Sequence, residues 1–287
     1  MTNRITSTTL AEWELAEIER ANASRRQPVV FVHGLWLLSN SWQPWRDRFE
    51  ASGFTTLAPG WPDDPDTVEE AKRHPEVFAR KMVQQVTDHY LAAIANLAAR
   101  PAVVGHSFGG LIVQKIADEG GSAATVAIDN APIKGVLPLP TSSLRSASPV
   151  LANPANRGRA VSLTFEQFSY GWANALDADE ARFLYDTYHV PASGAPLFQA
   201  AFANFNPFGG ETRVDVANPQ RGPLLIIGGD RDNTAPIAFT KGTFALQSRN
   251  PGVTEYVEVA GRGHSLILDH GWAEVADLAL GFIRRFA

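Results

Sequence analysis

The segment 101–110 constrains the fold more than any other part of the sequence. It reads Pro-Ala-Val-Val-Gly-His-Ser-Phe-Gly-Gly, a short apolar run followed at once by a Gly-x-Ser-x-Gly pattern and then by residues with helical spacing. A sharp strand-to-helix turn of this kind lifts the serine hydroxyl clear of the sheet. Gly105 and Gly109 leave room for strand and helix to approach, which a serine that only capped a helix would not need. The segment therefore predicts a buried strand, a strained turn at Ser107 and a helix.

The rest of the chain alternates short apolar runs with longer amphipathic segments. This alternation is typical of an α/β protein whose mostly parallel central sheet is flanked by helices. We predict strands at 28–33, 54–58, 102–105, 124–128, 224–228 and 254–259. We predict helices at 10–23, 77–99, 109–119 and 273–286. No initial antiparallel strand pair is recognisable before residue 28.

Residues 135–222 interrupt the alternation. They contain many Pro and Gly residues and large aromatics but no strong strand pattern. Because they fall between two predicted strands, they predict a helical cap inserted into a single domain. The core of that domain would consist of residues 1–134 and 223–287.

A serine hydroxyl needs a base to take its proton, and a histidine is the usual one. Of the seven histidines, His264 is best placed, in the small-residue loop Gly-Arg-Gly-His-Ser at 261–265 after the last predicted strand. His270 is the nearest rival, but it precedes the last helix. We therefore expect His264 to be the base for Ser107.

An acid that orients the histidine should follow the preceding strand, and three aspartates are candidates. Asp230 and Asp232 both lie in the loop between residues 228 and 236, and Asp129 follows the strand at 124–128. We prefer Asp232, because Asp230 lies close to the strand end, where it can bond local backbone amides. The order Ser, Asp, His along the chain is the one expected for this kind of site.

The turn after the first strand supplies a second part of the site. In Val-His-Gly-Leu-Trp at 32–36, the glycine lets the next amide point towards Ser107. We expect the backbone N–H groups of Leu35 and Phe108 to form an oxyanion hole. Three aromatic residues are expected to line the substrate pocket, namely Trp36, Phe168 and Trp172.

Composition excludes several other classes. The net charge of −5 is spread without long runs of one sign, so nucleic acid is not an expected partner. There is no cysteine, which excludes disulfides, thiolate metal sites and a cysteine nucleophile. The histidines lack metal-ligand spacing, so we expect no metal and no cofactor. No apolar stretch is long enough for a membrane span or a signal peptide, and we expect a cytoplasmic protein.

These motifs together resemble those of the α/β-hydrolase superfamily. The resemblance rests on His33-Gly34, Gly105-His-Ser-Phe-Gly109, Asp232 with Pro236, and Gly263-His264. It implies a mostly parallel sheet, an inserted helical cap, esterase-like activity and no cofactor. Serine at position 107 argues against haloalkane dehalogenases and epoxide hydrolases of this superfamily, which attack with aspartate.

The expected activity is hydrolysis of a small to medium hydrophobic carboxylic ester or lactone through an acyl-enzyme. Two alternatives remain open from the sequence. One is a cofactor-free perhydrolase or haloperoxidase-type enzyme, or another acyl-transfer enzyme, with the same triad. The other is a ligand receptor that retains the triad but turns over slowly.

Overall fold

The computed structural model describes residues 9–137, 139–206 and 209–287. Six parallel strands form the central sheet in the order β2-β1-β3-β4-β7-β8. Two further strands, β5 and β6, form a small antiparallel pair. The strands are β1 Pro28–Val32, β2 Thr55–Leu57, β3 Ala102–His106, β4 Ala124–Ile128, β5 Ala160–Val161, β6 Ala192–Ser193, β7 Leu224–Gly229 and β8 Thr254–Val259.

Helices cover the sheet and fill the long connection between β4 and β7. They are α1 Glu12–Ser24, α2 Gln43–Ala51, α3 Val68–Arg73, α4 Val83–Ala95, α5 Phe108–Asp118, α6 Thr141–Leu151, α7 Phe165–Gly171, α8 Ala178–Tyr188, α9 Ala195–Phe202, α10 Ile237–Gln247 and α11 Trp272–Ile283. Strands β1, β3, β4 and β7 are fully buried along their length, as expected for strands with helices on both faces. The predicted mostly parallel sheet is therefore confirmed.

All six predicted sheet strands are present, with bounds that differ by one residue at most. The helix predicted at 77–99 is wrong at both ends, because α4 spans only Val83–Ala95. The helix predicted at 273–286 ends three residues early, at Ile283. Arg80 has a φ of +62°, a left-handed conformation that no α-helix can contain, and a short 3₁₀ turn occupies Pro75–Phe78. Helix α1 precedes β1, and residues 9–27 contain no strand.

The segment 135–222 contains α6 to α9 and the β5–β6 pair. That pair adds two short strands to a stretch where the sequence shows no strong strand pattern. Pro138, Pro207 and Phe208 of this segment, and residues 1–8 of the predicted core, lie outside the described residues.

The sheet order determines where the functional residues can meet. In a parallel sheet the carboxyl ends of all strands lie along one edge. The loops after β1, β3, β4, β7 and β8 therefore share that edge, and they carry the residues singled out in the sequence.

Candidate active site

Ser107 lies at the tip of a strained turn between β3 and α5. Its φ of +57° and ψ of −121° are rare for a residue with a side chain. Neighbouring segments hold this conformation in place: the N–H of Ser107 donates to the carbonyl of Ile128 at 3.0 Å, and its carbonyl accepts from the N–H of Ala131 at 2.9 Å. The turn is thus attached to the end of β4 as well as to its own helix.

The two flanking glycines are required by close backbone contacts. A Cβ added at Gly105 would lie 2.2 Å from the carbonyl oxygen of Gly109, and one added at Gly109 would lie 2.0 Å from that of Val32. Both distances are far below any real carbon–oxygen contact. The glycines therefore allow α5 to cross directly over β1 and β3.

The structure brings Ser107, His264 and Asp232 together in a hydrogen-bonded chain. Nε2 of His264 lies 3.0 Å from Oγ of Ser107, and Nδ1 lies 2.5 Å from Oδ2 of Asp232. The histidine and both carboxylate oxygens are buried, and Ser107 is 5% exposed. In this arrangement Nδ1–H donates to the carboxylate and Nε2 accepts from the serine hydroxyl.

Asp232 is held by its own loop. Its Oδ1 accepts hydrogen bonds from the N–H groups of Thr234 at 2.6 Å and Ala235 at 2.9 Å. The rival Asp230 points elsewhere, since its Oδ1 accepts from the N–H of Gly261 at 2.6 Å at the protein surface. Of the two aspartates after β7, only Asp232 contacts the histidine.

Two rings pack against His264. Trp172 lies edge-on to it at 4.6 Å between centroids, and His106 lies at 4.5 Å. Burial, and secondarily the neighbouring His264, lowers the pKa of His106 well below its usual 6.5, so this ring is neutral. His264 is therefore restrained from two sides without a second positive charge beside it.

The loop after β1 approaches Ser107 closely. A Cβ added at Gly34 would lie 2.8 Å from Cβ and 3.3 Å from Oγ of Ser107. Phe108 is the first residue of α5, where backbone N–H groups have no acceptor within the helix. Within the described residues, the N–H groups of Leu35 and Phe108 donate to no backbone acceptor. Both N–H groups are thus free of backbone acceptors and can donate to a ligand bound beside Ser107.

The sequence matches the alpha/beta hydrolase family over residues 29–278. The chain belongs to this family. The match spans every strand of the sheet except the first residue of β1, and it includes Ser107, Asp232 and His264.

Solved structures share the fold of this hydrolase at low sequence identity. A monoacylglycerol lipase from Paleococcus ferrophilus has a TM-score of 0.63 and 19% identity, with 91% of this chain and 95% of that chain covered. An extracellular alpha/beta-hydrolase from a Paenibacillus species has a TM-score of 0.64 and 19% identity, covering 89% and 98%. A putative non-heme bromoperoxidase from Mycobacterium tuberculosis H37Rv has a TM-score of 0.64 and 17% identity, covering 91% and 93%. No curated protein matches the sequence significantly.

A cavity of about 70 Å³ opens beside Ser107 and Phe108. Its walls come mainly from α6 and α9, completed by α10 and by the loops after β4 and β7. The lining residues beyond the serine turn are Ala131, Pro132, Leu139, Ser143, Leu144, Ala147, Leu151, Leu197, Ala200, Ala201, Thr234, Ala235 and Phe239. None of these lining residues was predicted from the sequence, although Ser143, Ala147 and Leu151 recur at the four-residue spacing of one helix face.

The structure places none of the three expected pocket aromatics on this cavity wall. Trp36 is buried, and its Nε1–H donates to the carbonyl of Val161 at 3.0 Å, which joins the β1 loop to β5. Phe168 stacks on Trp172 at 5.8 Å, and Trp172 packs on His264. All three rings are buried, as large aromatic side chains usually are, and Trp36 lines a separate small cavity on the other side of the β1 loop.

Potential metal ligands also meet at this site. Among the described residues, His106, Asp129 and His264 bring ligand atoms within 4.8 Å of one another. Both ring nitrogens of His264 already have partners in Ser107 and Asp232, so a metal ion there would break the hydrogen-bonded chain. We therefore assign His264 to the hydrogen-bonded chain with Ser107 and Asp232 and not to a metal site. In the described part of the molecule, no helix has the length and apolar character needed to cross a bilayer.

Proposed function

We propose that this protein is a serine hydrolase that cleaves a small, hydrophobic carboxylic ester or lactone through an acyl-enzyme intermediate. Ser107 is the nucleophile, His264 the general base and Asp232 the acid that orients it. The observation that carries the proposal is the buried hydrogen-bonded chain from Asp232 through His264 to Ser107, which ends at the wall of an apolar cavity.

In the first half of the reaction, His264 Nε2 takes the proton of Ser107 as Oγ attacks the ester carbonyl. The carbonyl oxygen becomes an oxyanion, and the N–H groups of Leu35 and Phe108 donate hydrogen bonds to it. The imidazolium formed on His264 is stabilised by Asp232, and it then protonates the departing alcohol. Ser107 is left acylated.

In the second half, water replaces the alcohol. His264 removes a proton from this water, which attacks the acyl carbonyl and forms a second oxyanion in the same hole. Collapse of this intermediate breaks the bond to Oγ, and His264 returns the proton to Ser107. The free enzyme and the carboxylic acid result without any other reactant.

The cavity wall supports the choice of substrate. Its lining contains no charged side chain, and Ser143 and Thr234 are its only polar residues beyond Ser107 within the described part of the chain. A charged acyl or alcohol group would lose its hydration there without compensation. A short aliphatic or aryl group gains from burial instead.

We further propose that residues 135–222 act as a cap over a core of residues 1–134 and 223–287. Helices α6 and α9 of this segment supply most of the cavity wall above Ser107. Chain length of the substrate would therefore be selected by the cap, while the reaction is carried out by the core.

The first experiment is labelling with a fluorophosphonate probe beside a screen of p-nitrophenyl esters of graded chain length. We expect one label per chain at Ser107, hydrolysis of short and medium esters, and loss of both in Ser107→Ala. Peracid formation from carboxylate and peroxide with poor ester turnover would favour the perhydrolase alternative. Labelling with fewer than about one turnover per minute on all esters would favour a receptor.

Replacement of the acid tests its assignment. Asp232→Asn should lower turnover on the order of 10⁴-fold, because the amide favours the wrong tautomer of His264. Asp230→Asn is the matched control, since the Asp230 side chain accepts from Gly261 at the surface, away from His264, and this variant should retain nearly full activity. A loss of less than tenfold in Asp232→Asn would contradict the assignment.

Filling the cavity tests the substrate pocket. Ala147→Phe places a ring in the space beside Ser107 and should shift the ester profile towards acetate by tenfold or more over longer chains. Ala152→Phe makes the same change at an exposed residue just after α6, so it should leave the profile unchanged. Equal profiles for the two variants would show that the substrate binds elsewhere.

A further inference from the structure

A second buried carboxyl group lies behind the proposed triad. Asp129 follows β4, is fully buried, and has a φ of +39°. Its Oδ1 accepts a hydrogen bond from the N–H of Gly229 at 2.7 Å. Its Oδ2 is buried and has no donor partner among the described residues. A buried carboxylate oxygen without a donor is costly, so this oxygen calls for an explanation.

The groups that face Asp129 come from three other strands. They are His106 at the end of β3, Asp232 after β7, Tyr256 on β8 and His264 after β8. His106 is neutral and supplies no positive charge. Two ionised carboxylates cannot share such a buried site, and one of the pair must hold a proton.

Hydrogen-bond donors decide which carboxyl holds it. Asp232 accepts three hydrogen bonds, from the N–H groups of Thr234 and Ala235 and from His264, and these stabilise its negative charge. Within the part of the chain that the structure describes, the Asp129 side chain accepts one hydrogen bond, from Gly229. Burial first, and the charge of Asp232 second, raises the pKa of Asp129 well above its usual 3.8. The proton therefore resides on Asp129.

We propose that Asp129 is a positioning residue that remains protonated at neutral pH and donates a hydrogen bond from Oδ2 to the carboxylate of Asp232. A carboxylate has about four acceptor positions, and three on Asp232 are already used. The fourth bond holds this carboxylate at the orientation in which it receives Nδ1–H of His264. The proposal rests on the proposed function and adds to it the protonation state of a second acid.

Two substitutions separate this role from that of an ionised catalytic acid. Asp129→Asn keeps an acceptor for Gly229, offers an amide donor to Asp232, and suits the positive φ. We expect its kcat/KM at neutral pH to stay within about threefold of wild type. Asp129→Ala removes both bonds, and its kcat/KM should fall about 10- to 100-fold, mainly in kcat. A loss of 10³-fold or more in Asp129→Asn would overturn the proposal, because only an ionised carboxylate would then suffice.

The pH profile is a readout that a merely structural role would not change. At alkaline pH, wild-type Asp129 loses its proton and repels Asp232, so kcat/KM should fall. Asn cannot ionise, and the profile of Asp129→Asn should extend to higher pH. Identical alkaline limbs in the two proteins would contradict the proton assignment.

A stability measurement tests the same proton without catalysis. The unfolded chain releases the proton of Asp129 near pH 4, whereas the folded protein keeps it to higher pH, so wild type loses stability as the pH rises above 4. Asp129→Asn has no such loss. In urea titrations, the unfolding free energy of Asp129→Asn minus that of wild type should therefore increase with pH. A difference in unfolding free energy that does not change with pH would overturn the inference, even if Ser107 reacts with the probe and the protein hydrolyses esters. Absence of labelling at Ser107 would overturn only the proposed function.

Discussion

Gly109 lies where α5 crosses β1, and its replacement by alanine should damage both stability and catalysis. The added Cβ would lie 2.0 Å from the carbonyl oxygen of Val32, 2.7 Å from its carbonyl carbon and 2.8 Å from the carbonyl oxygen of His33. All three are backbone atoms of the strand end and of the loop that carries Leu35. No side-chain rotation can relieve these contacts, so helix or strand must shift by more than about 1 Å.

The magnitude follows from this shift. Overpacking in a dense core costs about 1–3 kcal/mol, and a backbone clash belongs at the upper end of that range. Ser107 and Phe108 directly precede the substituted residue, so the proposed nucleophile and oxyanion donor move with it. A displacement of about 1 Å can cost about 10²-fold in rate. We expect Gly109→Ala to lower the free energy of unfolding by about 3 kcal/mol and kcat/KM by at least about 100-fold.

A matched control is available in α11. Gly281 is also a helical glycine, but a Cβ there would meet no atom within 4 Å. Gly281→Ala should therefore raise the free energy of unfolding by about 0.5–1 kcal/mol and retain full activity. Urea unfolding followed by tryptophan fluorescence gives the free energies, and the rate of fluorophosphonate labelling reports the position of Ser107. Wild-type stability and labelling in Gly109→Ala would refute the argument that close approach of α5 and β1 positions the serine.

Two further predictions concern buried rings. Trp172→Ala should lower the free energy of unfolding in urea by about 3–5 kcal/mol and abolish most ester hydrolysis, because it opens a cavity against the ring of His264. The control Trp13→Ala, at a partly exposed residue, should lose far less stability and activity. Burial lowers the pKa of His189 to about 4, so the unfolded chain takes up a proton from pH 6.5 downward while the folded protein does not. The free energy of unfolding should therefore fall by about 3 kcal/mol between pH 6.5 and 4. Urea titrations at several pH values should show a weaker pH dependence of this free energy in His189→Gln. The same pH dependence in the variant and in wild type would contradict the prediction.

The sequence by itself determined the sheet and its turns. Strand positions follow from short apolar runs, and the turn at Ser107 follows from two glycines around a serine, because both signals are local in the chain. The order of motifs also places His264 and the aspartates at the same edge of a parallel sheet. Helix ends were predicted less well than strands. Helix α4 starts six residues later than predicted, where a positive φ at Arg80 interrupts an otherwise helical pattern, and α4 and α11 both end earlier than predicted.

The tertiary structure decided what depends on distance between loops. Asp129 and Asp232 both follow strands of the sheet, and only the packed structure shows that Asp232 contacts His264 while Asp129 lies behind it. The cavity wall on α6 and α9 and the burial of Trp36 likewise depend on how the inserted segment packs on the core. Periodicity shows that a helix has an apolar face but not what that face contacts, because the partner is distant in sequence.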